Sequence, residues 1–179
     1  MFARTLVCLV LATPFARADD AGTAVKLSGL SGTTPSTWKS EKPANRLRSF
    51  QFKLPSGDKA IPDAEVAIFP ESSPDTTKNF ERWKATFVPA DGSTIDDAAK
   101  VGTLDIGKAK VATLDVSGTW KYKARPQDPK SKEELLADYR AIWVVIETPD
   151  ETTHLRLSGP AVVVEKHKKE FETWLKGLK

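Results

Sequence analysis

RLSGPAVVVEKHKKEFETWL, residues 156–175, decides how this chain folds. Leu155 and Leu157 alternate with His154, Arg156 and Ser158, the period-two pattern of a strand with distinct faces. Beyond the Gly159-Pro160 step the period changes. Val164, His167, Phe171, Trp174, Leu175 and Leu178 fall along one stripe of a helix, with Gly159 permitting a sharp corner and Pro160 fixing the helix start. Burying such a stripe against a sheet is worth on the order of 10 kcal/mol gross, at about 1.5–3 kcal/mol per large apolar side chain. A sheet roofed by a C-terminal helix is the core expectation.

Working toward the N-terminus, YRAIWVVIET holds Ile142 to Ile146 as an unbroken apolar run and reads as a central strand covered on both sides. KVGTLDI and KVATLDVSGTW flank Gly107-Lys108, the spacing of a hairpin. Phe80, Trp83 and Phe87 recur at intervals of three and four, predicting a helix entered at Ser73-Pro74 and stopped at Val88-Pro89. AEVAIF (64–69) is a short strand, with Val66 and Ile68 on one face and Ala67 and Phe69 on the other. LRSFQFKL (47–54) has strand composition, and Gly29 to Ser40 reads as a polar lead containing Trp38. Lys121 to Ala137, rich in lysine, is assigned to an exposed connection with one helical turn at Lys132–Leu136. Strands, one helix, about four strands and one helix, joined by short turns, give an α+β fold with a mostly antiparallel sheet and helices packed on its faces.

The chain opens MFARTLVCLVLATPFARADD, with Arg4 before a short apolar core and Ala16-Arg17-Ala18 ahead of Asp19. This is the pattern of an export signal over residues 1–18, leaving one domain over 19–179 that is secreted or periplasmic. Its apolar run is far short of the roughly 20 residues a membrane-crossing helix needs, so no transmembrane anchor is expected. Cys8 leaves with the signal, excluding disulfide and thiol chemistry from the mature chain. Without Arg4 and Arg17, 25 basic residues stand against 24 acidic ones, a net of about +1. Nucleic-acid binding loses its electrostatic basis at that balance.

Chemistry is thinly signalled. His154, Ser158 and Glu151 supply hydrolase residue types, yet no Gly-x-Ser-x-Gly elbow occurs, and His154 and Ser158 on one strand face lie roughly 13 Å apart at about 3.3 Å per residue. His167 and Glu170 lie one turn apart but form no His-Glu-x-x-His pair, and the structural reading of His167 is preferred. DGSTIDD (91–97) has the oxygen spacing of half a calcium loop, interrupted at Ile95 and lacking the closing glutamate at Gly102. No cofactor motif is present. Trp38, Trp120 and Tyr122, the last two within WKYK, combine rings and cations as recognition surfaces do, although rings capping the ends of a sheet are preferred. Arg46 and Arg48 alternate about Leu47 as on an edge strand facing water, beside Asn45.

Trp38-Lys39, Pro43 with Asn45-Arg46, QFKLP (51–55), NFERWKATF (79–87), LDVSGTW (114–120) and RLSGP (156–160) occur in that order over nearly the whole mature chain. Together with the export signal they resemble a group of exported proteins from planctomycete-type bacteria, for which no catalytic residue carries over. The element order is also similar to the PsbP-like fold of the photosystem II extrinsic protein, whose members dock onto other proteins. The resulting expectation is a non-catalytic exported module that binds a protein or cell-envelope component. The binding residues expected are Trp38, Asn45, Arg46, Trp120 and Tyr122. A hydrolase or metal-dependent enzyme using His154 and His167 is the alternative.

Overall fold

Five apolar residues in succession, Ile142 to Ile146, leave neither face of their strand polar, so it must be covered on both sides. In the computed structural model, which describes residues 22–70, 72–90, 92–124 and 128–179, this strand lies inside an eight-stranded sheet. The residues read as an export signal lie outside that range. In chain order the elements are β1 (Ala24–Leu27), β2 (Leu30–Thr33), β3 (Lys39–Glu41), β4 (Phe50–Leu54) and β5 (Ala64–Phe69), then α1 (Thr76–Lys84), β6 (Phe87–Val88) and α2 (Ile95–Ala98). The long strands β7 (Ala99–Ile106), β8 (Ala109–Lys123), β9 (Glu133–Glu147) and β10 (Thr152–Pro160) follow, and α3 (Ala161–Lys176) closes the series. The sheet runs β3-β4-β5-β10-β9-β8-β6, with β7 also on β8, and every described pairing is antiparallel. β1 and β2 make a separate hairpin. No described helix is long and apolar enough to cross a membrane.

Alternation divides the sheet into two faces. On the first, Phe52, Leu54, Val66, Ile68, Val144, Leu155 and Leu157 are buried against Val164, Phe171 and Leu175 of α3. On the second, Leu114, Val116, Trp143 and Val145 are buried against Phe80 and Trp83 of α1 and Phe87 of β6, with Trp83 stacked on Trp143 at 4.0 Å between ring centroids. α3 is also pinned by charge. Lys168 donates to Asp115 on β8 (2.9 Å), while Arg140 on β9 bonds both Asp115 (2.6 Å) and Glu165 of α3. Burial would raise the Asp115 carboxyl, but hydrogen bonds from Arg140 and Lys168 outweigh it and hold the group below the usual carboxylate range.

Several sequence readings need correction. Both ends of Lys121 to Ala137 are strand, with no helical turn at Lys132–Leu136: Lys121–Lys123 continue β8 and pair with Glu133–Leu135 of β9, while Leu136 pairs with Trp120. The tail is strand because Trp120 and Tyr122 recur at period two and, with Leu136, pack on the second-face core. The helix at Phe80 starts later and stops earlier than its spacing suggested. Asp75, rather than Ser73, caps it by accepting from the Lys78 N–H, and Phe87 belongs to β6. The polar lead is partly strand: Ser28 (φ 48°) and Gly29 (φ 79°) form the left-handed turn that lets β1 and β2 fold back, placing Val25 and Leu27 in the core. Gly159 makes no corner. β10 runs through it, paired with Arg140, and a Cβ there would lie 2.8 Å from the Ala64 Cα of β5, so glycine serves strand packing.

Gly118 carries the one register shift between β8 and β9. Its φ of 146° disfavours other residues, and a Cβ would come within 2.3 Å of the Val88 carbonyl oxygen of β6. Gly118→Ala should cost about 2 kcal/mol, because β6 and Phe87 must move off Trp120. Urea unfolding checks this: the midpoint falls with an unchanged slope, whereas an unshifted midpoint would mean that β6 does not hold this position.

Candidate functional site

β10 sends His154, Arg156 and Ser158 to the second face, as the alternation predicts, and the neighbouring strands decide what Arg156 meets. Arg156 is only 9% exposed and donates from Nη2 to Glu65 Oε1 at 3.0 Å. Glu65 Oε2 takes a second guanidinium, Arg48 Nη1 at 2.8 Å. Around Arg156 stand the rings of Trp120 (5.0 Å), Trp143 (5.1 Å) and Phe69 (6.0 Å), the distances and faces of cation–π contacts. Arg48 sits 5.7 Å from Phe69. Burial lowers the Arg156 pKa, opposed first by the Glu65 charge, and a guanidinium of such high intrinsic basicity stays ionised. Two cations thus share one carboxylate, and both Nε–H groups are buried without an acceptor.

Arg48 also shapes the turn outside. It donates to Gln51 Oε1 (2.7 Å), which accepts as well from the Ala44 N–H (2.9 Å), and Asn45 Oδ1 accepts from the Leu47 N–H (3.0 Å). These bonds fix residues 44–48 as a turn rather than the expected edge strand, with Asn45 and Arg46 exposed and Leu47 60% exposed. Leu47 therefore has no core to face, contrary to its strand reading.

The five residues expected to bind divide sharply. Asn45 and Arg46 are open, and Tyr122 is half-buried. Trp120 is 8% exposed, lying parallel to Phe87 at 5.9 Å and edge-on to Tyr122 at 5.1 Å, so its ring roofs Arg156 instead of facing solvent. Trp38 is 4% exposed. Its turn, closed by a Trp38 N–H to Pro35 carbonyl bond (3.1 Å), aims the ring under α3, onto Phe52, Phe171 and Trp174. There the indole N–H donates to Glu170 Oε2 (2.9 Å), while Thr37 Oγ1 donates to Oε1 (2.8 Å). Trp38 and Trp120, expected among the binding residues although a structural role for their rings was the preferred reading, are thus buried rings. Arg48, Glu65 and Arg156 were missed as a group, though two charged residues in phase on otherwise apolar strands were the available signal.

The histidines do not meet. His154 lies on the second face, edge-on to Trp83 at 5.0 Å, with Nε2 3.0 Å from the Ser73 carbonyl it donates to. Burial pushes its pKa down to about 4, aided by the nearby Arg82 charge and resisted by the Ser73 bond. His167, a buried residue of α3 on the first-face side, has Nε2 3.0 Å from the Pro55 carbonyl and Nδ1 3.4 Å from Glu170. A site built from both imidazoles would need them on one side of the sheet. In the calcium-like stretch, Asp91 is outside the described residues, Thr94 and Asp97 cap α2 reciprocally, and Asp96 bonds Lys84 at 2.6 Å. Among the described residues no three His, Cys, Asp or Glu side chains converge for a metal.

No family model and no curated protein matches this sequence. Solved structures do match in fold. Cyanobacterial PsbP (CyanoP) from Synechocystis sp. PCC 6803 aligns with a TM-score of 0.51 at 14% identity, covering 94% of this chain and 98% of that one. A protein of unknown function from Pseudomonas aeruginosa, PA94, described as a putative regulator, aligns with a TM-score of 0.50 at 15% identity over 88% of this chain and 96% of that one. The chain therefore has an α+β, mostly antiparallel, PsbP-like fold. At these identities the likeness speaks for architecture alone.

Proposed function

We propose that this chain is an exported, non-catalytic module that binds a protein or cell-envelope component through the Asn45–Leu47 turn. The supporting observation is an exposed leucine beside an exposed arginine on a turn locked from below by Arg48, Gln51 and Glu65. An apolar contact held rigid before binding loses little conformational freedom on association, which is what an anchor residue requires. Behind the turn, Arg48 and Arg156 share Glu65, and Trp120, edge-on to the half-buried Tyr122, covers Arg156.

The mature chain, immobilised and exposed to envelope extract, should retain a defined component that Arg46→Glu/Leu47→Asp loses. Both positions are exposed, so the double variant should melt within about 0.5 kcal/mol of the parent. Equal retention by the folded double variant would reject the turn as the binding surface.

A further inference from the structure

α3 carries the material for a neutralised surface and does not use it. Helical spacing offers Lys166 to Glu170, Lys169 to Glu165 or Glu172, and Lys176 to Glu172 as same-face ion pairs. Each acid is drawn elsewhere: Glu165 to Arg140, Glu172 to Lys168 at 4.0 Å, and Glu170 to Thr37, Trp38 and His167. Lys166 is held by the Pro55 and Ser56 carbonyls (3.3 and 2.8 Å), which position its ammonium without cancelling its charge. Lys166, Lys169 and Lys176 are exposed along one stripe with Thr173 and, among the described residues, none has an acidic partner.

That stripe borders a groove of about 620 Å³ between α3 and the chain from Thr33 to Pro35, walled by Pro35, Lys166, Lys169, Glu170 and Thr173 above Trp174, with the Glu170 carboxylate already engaged by Thr37, Trp38 and His167. The Trp174 indole N–H is buried and has no acceptor. With the Glu170 carboxylate satisfied by its own donors, the free charge of the lining is the two lysines, so the complementary ligand is rich in acceptors and negative. At 1.5 Å per residue, Lys166 and Lys176 are about 15 Å apart along the helix. Side chains on one side of an extended peptide recur about every 7 Å, so three alternate carboxylates span nearly the same length.

We propose that this groove is a docking site for an extended acidic peptide, its carboxylates on Lys166, Lys169 and Lys176 and its backbone across Thr173 and Pro35. The site shares no residue with the Asn45–Leu47 turn, so the two readings fail separately. A short fluorescein-labelled peptide alternating glutamate and serine, titrated by fluorescence anisotropy into the mature chain, should bind saturably at low ionic strength and weaken with salt. Its glutamine counterpart should not bind. Lys169→Glu should cost about tenfold or more in affinity, and Thr173→Phe, which fills the groove without changing charge, should cost about as much. Arg46→Glu, the same charge change on the other surface, should leave affinity unaltered. The proposal is overturned by absent saturation, by undiminished binding to folded Thr173→Phe, by equal losses in Arg46→Glu, or by an oligouronate binding as tightly as the peptide.

Discussion

Glu65→Gln should lower stability by about 3 kcal/mol, the low end of the range for stripping one partner from a buried ion pair. The Glu65 side chain is 29% exposed and open to water, whereas the side chains of Arg48 and Arg156 are only 10% and 11% exposed and have little other solvation. Loss of Glu65's charge leaves two guanidiniums without their shared counter-charge, Arg156 among Trp120 and Trp143 and Arg48 against Phe69, with repulsion added to the desolvation each already bears. Adding Arg156→Met should recover much of the loss, since an apolar side chain of similar length suits the surrounding rings and relieves Arg48, which keeps its bond to Gln51, of the repulsion. Urea unfolding of the two single variants and the double variant measures the coupling. A loss under about 0.5 kcal/mol for Glu65→Gln, the size of an ordinary surface change, would show that water supplies what Glu65 was credited with.

Acid should weaken the fold well before the carboxylates titrate. His154 has a folded pKa of about 4 against the ordinary 6.5, so the unfolded chain binds its proton first. Stability from this group is complete above about pH 6.5 and is lost as pH falls toward about 4, some 3 kcal/mol in all at 1.36 kcal/mol per unit. Asp115 and Glu170, held below their usual values despite burial by the donors around them, add their losses at lower pH. His154→Gln retains a donor for the Ser73 carbonyl and should flatten the curve between about pH 6.5 and 4.5. Parallel slopes for variant and parent, from unfolding measured across that range, would mean that another group carries the acid sensitivity.

Where side-chain periodicity was strong, the sequence was legible. The α3 stripe, the Ile142–Ile146 run, the Gly107 hairpin and the faces of β5 and β10 are each set by local pattern, and each stands where that pattern put it. Elements held by distant contacts were hidden. β1 and β2 are short and mostly polar outside Val25 and Leu27, and only the Ser28-Gly29 turn signals their hairpin. Lysines and glutamates obscured the shared tail of β8 and β9, because charged residues on the open side of a strand look like loop composition. Trp38 misled for a related reason: a ring without periodic neighbours gives no sign of its orientation, and α3, more than a hundred residues later, supplies with Phe52 the surface that buries it. The arginine cluster joins positions 48, 65 and 156, a proximity created by the β5–β10 pairing and absent from any local window.

That same pairing orders events in time. β7 through β10 form a meander of sequence neighbours, whose short loops cost little entropy to close. β4 and β5 can pair with each other at once, yet the inner edge of β5 waits for β10, the last strand of the chain. A polypeptide delivered N-terminus first, whether from a ribosome or through a pore, would carry that edge bare for most of its passage. Such an edge is a template for wrong partners, so the hazardous interval in this protein's life ends only when residues 152–160 arrive.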